Sequence, residues 1–124
     1  HEERREGIAA LLAETARSGS GSFLAVLKEF GDMASRGMLS FPRPGTTLAL
    51  DFPNQGADTL RLLERLDSIV DEAGGALYPA KDARMSATSF QRAFPRWREF
   101  EEFVDPRFSS GFWRRVSEHK CSAS

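Results

Sequence analysis

The sequence predicts an α+β fold: helix, strand, strand, helix, then a mostly helical tail. Three observations carry this. Two long stretches repeat apolar residues at helical spacing; two short stretches between them are rich in residues suited to a pleated sheet; and the last third is cut into short pieces by proline and glycine.

Residues 2 to 17 come first. Ile8, Leu11, Leu12 and Ala16 fall at i, i+3, i+4 and i+8, which lines one face of a helix. Ser18-Gly19-Ser20-Gly21 breaks it. Ser22 to Phe30 reads as a strand with apolar residues on both faces, and so as a strand covered on both sides. Residues 31 to 45 read as irregular, because Phe41-Pro42-Arg43-Pro44-Gly45 is incompatible with a helix interior. Thr46 to Phe52 is the second strand, stopped by Pro53.

Residues 57 to 73 form the strongest helix. Leu60, Leu63, Leu66, Ile69, Val70 and Ala73 make its apolar stripe, Asp58 complements the dipole in the first turn, and Gly74-Gly75 stops it. Leu77 to Arg84 reads as a short extended loop. Ser86 caps a helix from Ala87 to Phe94, closed by Pro95. Another short helix runs from Arg96 to Val104, and a last turn or two from Phe112 to Glu118. Residues 119–124 read as a disordered tail. Two strands alone make a marginal sheet. Phe90, Phe94, Trp97, Phe100, Phe103 and Phe108 crowd the tail and call for burial against a partner outside this core.

Composition narrows the function classes. The 124 residues carry 17 basic and 18 acidic groups, net charge −1, so no basic excess points to nucleic acid or an anionic membrane. No apolar run is long enough to span a bilayer, and the charged start, His1-Glu2-Glu3-Arg4-Arg5-Glu6, does not read as a signal peptide. A cytoplasmic setting fits these features. The first residue is not methionine, and the chain reads as beginning inside something longer. A single cysteine, Cys121, excludes an internal disulfide and a multi-cysteine metal site, and His1 and His119, at the two ends, make a poor histidine site. No Walker, GxGxxG, HExxH or GxSxG pattern is present.

Three features carry chemistry. The loop from Tyr78 to Arg84 packs a phenol, an amine, a carboxylate and a guanidinium into seven residues. It reads either as a site for an anionic cofactor group or as a solvated connector with a local ion pair. Lys28, in an apolar strand, is either a buried lysine that needs a partner or a depressed pKa, or a strand-end lysine reaching water. Asp51, between Leu50 and Phe52, is a pocket polar group or an edge carboxylate.

Five segments in order then point further: Ser22-Phe23-Leu24-Ala25-Val26-Leu27-Lys28-Glu29-Phe30-Gly31; Leu39-Ser40-Phe41-Pro42-Arg43-Pro44-Gly45; Leu50-Asp51-Phe52-Pro53; the run Gly74 to Arg84; and Phe94-Pro95-Arg96-Trp97 with Val104-Asp105-Pro106. Together they resemble the C-terminal part of FAD-linked oxidases of the vanillyl-alcohol-oxidase superfamily, nearest its ribose-oxidase branch. The resemblance implies that residues 1–76 are the C-terminal portion of an antiparallel-sheet substrate domain. It implies that 77–118 return to an FAD-binding domain absent from the chain. The implied activity is oxidation of a secondary alcohol on a sugar or polyprenyl-phospho-sugar, by hydride transfer to FAD. The chain alone would then hold FAD weakly and be inactive. A lipid-linked substrate would bring such a protein to a membrane surface.

By the same resemblance, Lys81 is the catalytic and cofactor-binding lysine, and Tyr78 is a cofactor-binding aromatic hydroxyl. Lys28, Phe30, Thr47 and Ala49 line the substrate pocket, and Asp51, read from its place in the strand, is counted with them as a substrate-binding residue. The ribose-oxidase branch has asparagine and cysteine at the positions of Thr47 and Ala49. That difference leaves the exact substrate open and implies no covalent capture by agents that target that cysteine. A lactone or aldose oxidase of the same superfamily is the neighbouring reading. The competing class is a non-catalytic αββα binding or dimerisation module, with a second copy of the chain as its partner.

Overall fold

The computed structural model describes residues 2–81 and 84–117, with side chains over 5–80 and 84–117. Cys121, His1, His119 and the tail 119–124 lie outside the described residues. The order is α1 (Glu2–Arg17), β1 (Leu24–Phe30), β2 (Gly45–Asp51), α2 (Ala57–Glu72), a 3-10 turn (Pro79–Lys81), α3 (Ala87–Ala93), α4 (Trp97–Glu101) and α5 (Gly111–Ser117). The α+β class and the helix–strand–strand–helix order stand as the sequence predicts. The chain forms two compact units. Among the described residues, one holds 2–34 and 42–75; the other holds 35–41, 76–81 and 84–117.

In the first unit β1 and β2 pair antiparallel, with Leu24 opposite Asp51 and Phe30 opposite Gly45. Ser22 closes the open end. Its Oγ accepts from the Asp51 N–H at 3.0 Å, and the Phe23 N–H donates to the Asp51 carbonyl at 2.9 Å. The expectation that β1 is covered on both sides does not hold within this chain. Phe23, Leu24 and Leu27 are exposed, because the first unit has too few elements to cover both faces of a two-stranded sheet.

Helix α1 packs on α2 and touches β2. The helices approach closely at Gly7, where a Cβ would lie 3.0 Å from that of Ala73. The buried line of α2 is Thr59, Leu62 and Leu66, rotated from the stripe read in the sequence; Leu62 is 1% exposed and Leu60 45%. The rotation follows from what α2 must satisfy. Thr59 is buried at its start because its hydroxyl donates to the Pro53 carbonyl and accepts from the Gln55 N–H. Residues three and seven positions on from Thr59 share its face. On α1 the buried residue is Glu14 rather than Leu12, which is half exposed. Glu14 is held by Arg17 one turn on and by Arg65 of α2, whose Nε lies 2.5 Å from Oε1. A carboxylate tolerates such burial when its oxygens are paired.

Helix α2 ends in a Schellman turn. The Gly75 N–H donates to the Val70 carbonyl at 2.8 Å and the Gly74 N–H to Asp71 at 3.2 Å. Gly74 sits at φ 65°, a backbone conformation that costs glycine little.

The second unit is built on rings. Met85, Phe90, Ala93, Phe94, Trp97 and Val116 form its buried core, flanked by Leu39, Phe41, Ala76, Leu77, Phe112 and Trp113. Phe90 meets Phe94 at 5.1 Å and Phe112 edge-on at 5.6 Å. Ser86 caps α3, its side chain accepting from the Ser89 N–H. Arg115 Nε donates to the Met85 carbonyl at 3.0 Å and Gln91 to that of Val116, which ties α5 to the start and middle of the α3 region. The six rings of the tail therefore need less outside help than their number suggests. Phe90, Phe94 and Trp97 are buried here and Phe100 stacks edge-on against Trp113, while Phe103 and Phe108 remain 73% and 78% exposed.

Candidate functional site

The pairing register decides which side chains can share a surface. In an antiparallel pair, residues directly opposite each other point to the same face, and every second residue joins them. Lys28 lies opposite Thr47, Val26 opposite Ala49, Leu24 opposite Asp51, and Phe30 opposite Gly45. One face thus carries Lys28, Phe30, Thr47, Ala49 and Asp51 together. All five of the substrate-pocket residues picked out in the sequence share it, with Leu24 and Val26 between them.

The local sequence sets this geometry. The alternation of β1 puts Lys28 two residues from Val26 and from Phe30 on that face. The Ser22 clamp fixes the register where Asp51 sits, and a one-residue slip would turn the whole set over. Lys28 is exposed and Thr47 half-buried across from it, so of the two readings of Lys28 the solvent-reaching one describes this chain. Asp51 is exposed at the strand end, with its backbone N–H and carbonyl both engaged by Ser22 and Phe23. The face holds one cation, one carboxylate, one hydroxyl and one ring around the apolar side chains of Leu24, Val26 and Ala49. Such a surface can bind a polyol, with charge and hydrogen bonds to its oxygens and apolar contact to its carbons.

Tyr78 and Lys81 belong to the second unit. The expected extended loop contains a turn of 3-10 helix over Pro79–Lys81, so the backbone turns back three residues after Tyr78. The difference has a simple origin: proline at the first position of the turn has its φ preset for a helical start. The Tyr78 side chain is 53% exposed, and its ring meets that of Phe41 edge-on at 5.2 Å and 64°. The side chain of Lys81, and residues Asp82 and Ala83, lie outside the described residues.

Phe41 is a contributor that residue-by-residue reading missed. Its neighbours Pro42 and Pro44 marked it as loop, but nothing in the spacing showed that 35–41 would leave the strands and join the aromatic unit. Among the described residues no three histidine, cysteine or carboxylate side chains cluster as a metal site. None of the described helices is long and apolar enough to cross a membrane.

Comparison with known proteins bears out the resemblance read from the five segments. The chain is 39% identical over 119 residues, 92% of its length, to decaprenylphosphoryl-beta-D-ribose oxidase of Mycolicibacterium smegmatis. It is 34% identical over 111 residues, 86% of its length, to an uncharacterized protein in the mprA 5′ region of Streptomyces coelicolor. It spans 25% of the first relative and 30% of the second. No family profile matches the chain.

Proposed function

We propose that this chain is the C-terminal portion of an FAD-dependent oxidoreductase that oxidises a secondary alcohol of a sugar or polyprenyl-phospho-sugar. The observation that carries the reading is similarity along nearly the whole chain to a protein named as an oxidase of a decaprenylphosphoryl ribose. The shared sheet face supports it, since residues far apart in sequence meet on one polyol-suited surface. In this reading the first unit is the end of a substrate domain, and the second packs with an upstream FAD-binding domain. A half-exposed tyrosine ring steadied on one edge, three residues before a lysine, fits a flat ring system bearing anionic oxygens. Bound FAD supplies the hydride acceptor.

The chain's own residues bind and orient. Lys28 donates to a hydroxyl or phosphate oxygen of the substrate, and Thr47 opposite it donates or accepts at a neighbouring oxygen. Phe30 and Ala49 give apolar contact to the carbon skeleton, and Asp51 accepts from a sugar hydroxyl. In the second unit Lys81 serves as the catalytic lysine, holding an anionic oxygen of the cofactor, and Tyr78 packs beside the cofactor. Orientation of this kind lowers the barrier by fixing the reacting carbon before transfer. A lipid-linked substrate would hold the protein at a membrane surface.

The experiment is Lys81→Met in the full-length protein, with bound flavin and turnover of a polyprenyl-phospho-pentose measured together. Flavin retained with turnover lowered at least about 10²-fold, within the range for a lost acid–base or charge-stabilising group, is the expected result. Unchanged turnover would remove Lys81 from the site.

The exposed Phe23, Leu24 and Leu27 favour one second reading, a module whose sheet is completed by another copy of the chain. A concentration-independent monomer in sedimentation would exclude it.

A further inference from the structure

We propose that Phe41 is a positioning residue for Tyr78, fixing the direction of the phenol that the functional reading above puts at the flavin. The inference rests on that reading for its consequence and on geometry for its content. Phe41 sits in the connection between β1 and β2, yet the segment 35–41 belongs to the second unit. Its ring is half-buried and packed against the core of Met85, Phe90, Phe94 and Trp97. The Tyr78 ring, by contrast, is 53% exposed. The two rings meet edge-on at 5.2 Å and 64°, within the separation at which the positive edge of one ring is attracted to the negative face of the other. A ring anchored in a core thus braces a ring that projects from it.

The backbone supports the same arrangement. Phe41 precedes Pro42 and Tyr78 precedes Pro79, and proline biases the residue before it toward extended conformations. The backbone at both positions is therefore narrowed by the chain. What remains free is rotation of the tyrosine side chain, and the edge contact restrains it. Leucine at 41 would fill much of the same core volume but lack the ring that meets Tyr78.

The test uses the full-length protein with 3-fluorotyrosine incorporated, the Tyr78 resonance being assigned by its disappearance in Tyr78→Phe. Phe41→Leu should shift and broaden that resonance, and Phe41→Tyr, which keeps the ring, should retain turnover in the unlabelled protein. Turnover in Phe41→Leu should fall about tenfold, within the cost of a misplaced reacting group. The same substitution in a Tyr78→Phe background should cost nothing further. An unmoved Tyr78 resonance in Phe41→Leu, or an equal loss of turnover in both backgrounds, would overturn the proposal. If the resonance moves and Tyr78→Phe itself leaves turnover intact, the positioning stands and the assignment of Tyr78 to the active site falls instead.

Discussion

Lys28 and Thr47 face each other across the β1–β2 pair, an amine and a hydroxyl brought together from positions 19 residues apart. Around them the same register gathers Phe30, Ala49 and Asp51. If this face binds a sugar, its exposed members should matter for affinity and hardly at all for folding. Lys28→Met should change unfolding free energy by less than about 0.5 kcal/mol, as exposed substitutions do. It should raise KM for a phospho-sugar substrate about tenfold or more, the ~1.5–3 kcal/mol of a hydrogen bond to a charged group. Thr47→Val should raise KM less. Steady-state kinetics and urea unfolding on the same preparations separate the two effects.

Ala49 gives a prediction by absence. With a methyl group at this position, cysteine-directed covalent agents should leave no adduct on the sheet face. Ala49→Cys should create one, read by intact-mass spectrometry.

Glu14 should be a stability residue. Its buried carboxylate links α1 to α2 through Arg65 and is also held by Arg17. Glu14→Ala should cost about 1–3 kcal/mol in urea unfolding, and Arg65→Ala less, because Arg17 still pairs the carboxylate. Equal and negligible costs would show that the pair contributes nothing to docking of the helices.

Ser86 caps α3, the helix that carries Phe90 and Ala93 into the aromatic core. Ser86→Ala should cost about 1 kcal/mol, and Ser86→Asp, which keeps the acceptor, much less. Thermal unfolding of the three proteins checks the order.

Two carboxylates of the aromatic unit should titrate low. The Arg96 side chain donates to Glu99 and holds its carboxyl below the usual range. Arg107 does the same for Asp105 through its side chain and then its backbone N–H. A carboxyl with a depressed folded pKa adds stability that is complete above its unfolded pKa and lost as pH falls through the folded one. Both sites are on the surface, so salt should weaken the effect. Carboxyl-carbon NMR titration should give midpoints below those of free carboxylates, and Arg96→Gln should return Glu99 to its usual range.

The order of elements was legible because glycine and proline punctuate it. Ser18–Gly21, Pro53, Gly74–Gly75 and Pro95 fall at or beside the ends of the observed elements. The sheet face was legible for a related reason: strand alternation needs only a register to become a surface. The orientation of the helices was harder. Apolar spacing favoured Leu60 and Leu12, whereas the capping bonds of Thr59 and the pairing of Glu14 set which side is buried. Polar satisfaction outweighed a hydrophobic stripe there, and single-residue periodicity does not report it. The bracing of Tyr78 by Phe41 was hidden because it joins residues 37 positions apart through a segment with no period of its own.

The most direct test of the central claim is the visible absorption spectrum of the full-length protein, recorded anaerobically before and after addition of a polyprenyl-phospho-pentose. A flavin band that bleaches on addition and persists unbleached in Lys81→Met is the expected result. A protein without a flavin band, even after incubation with FAD, would contradict it.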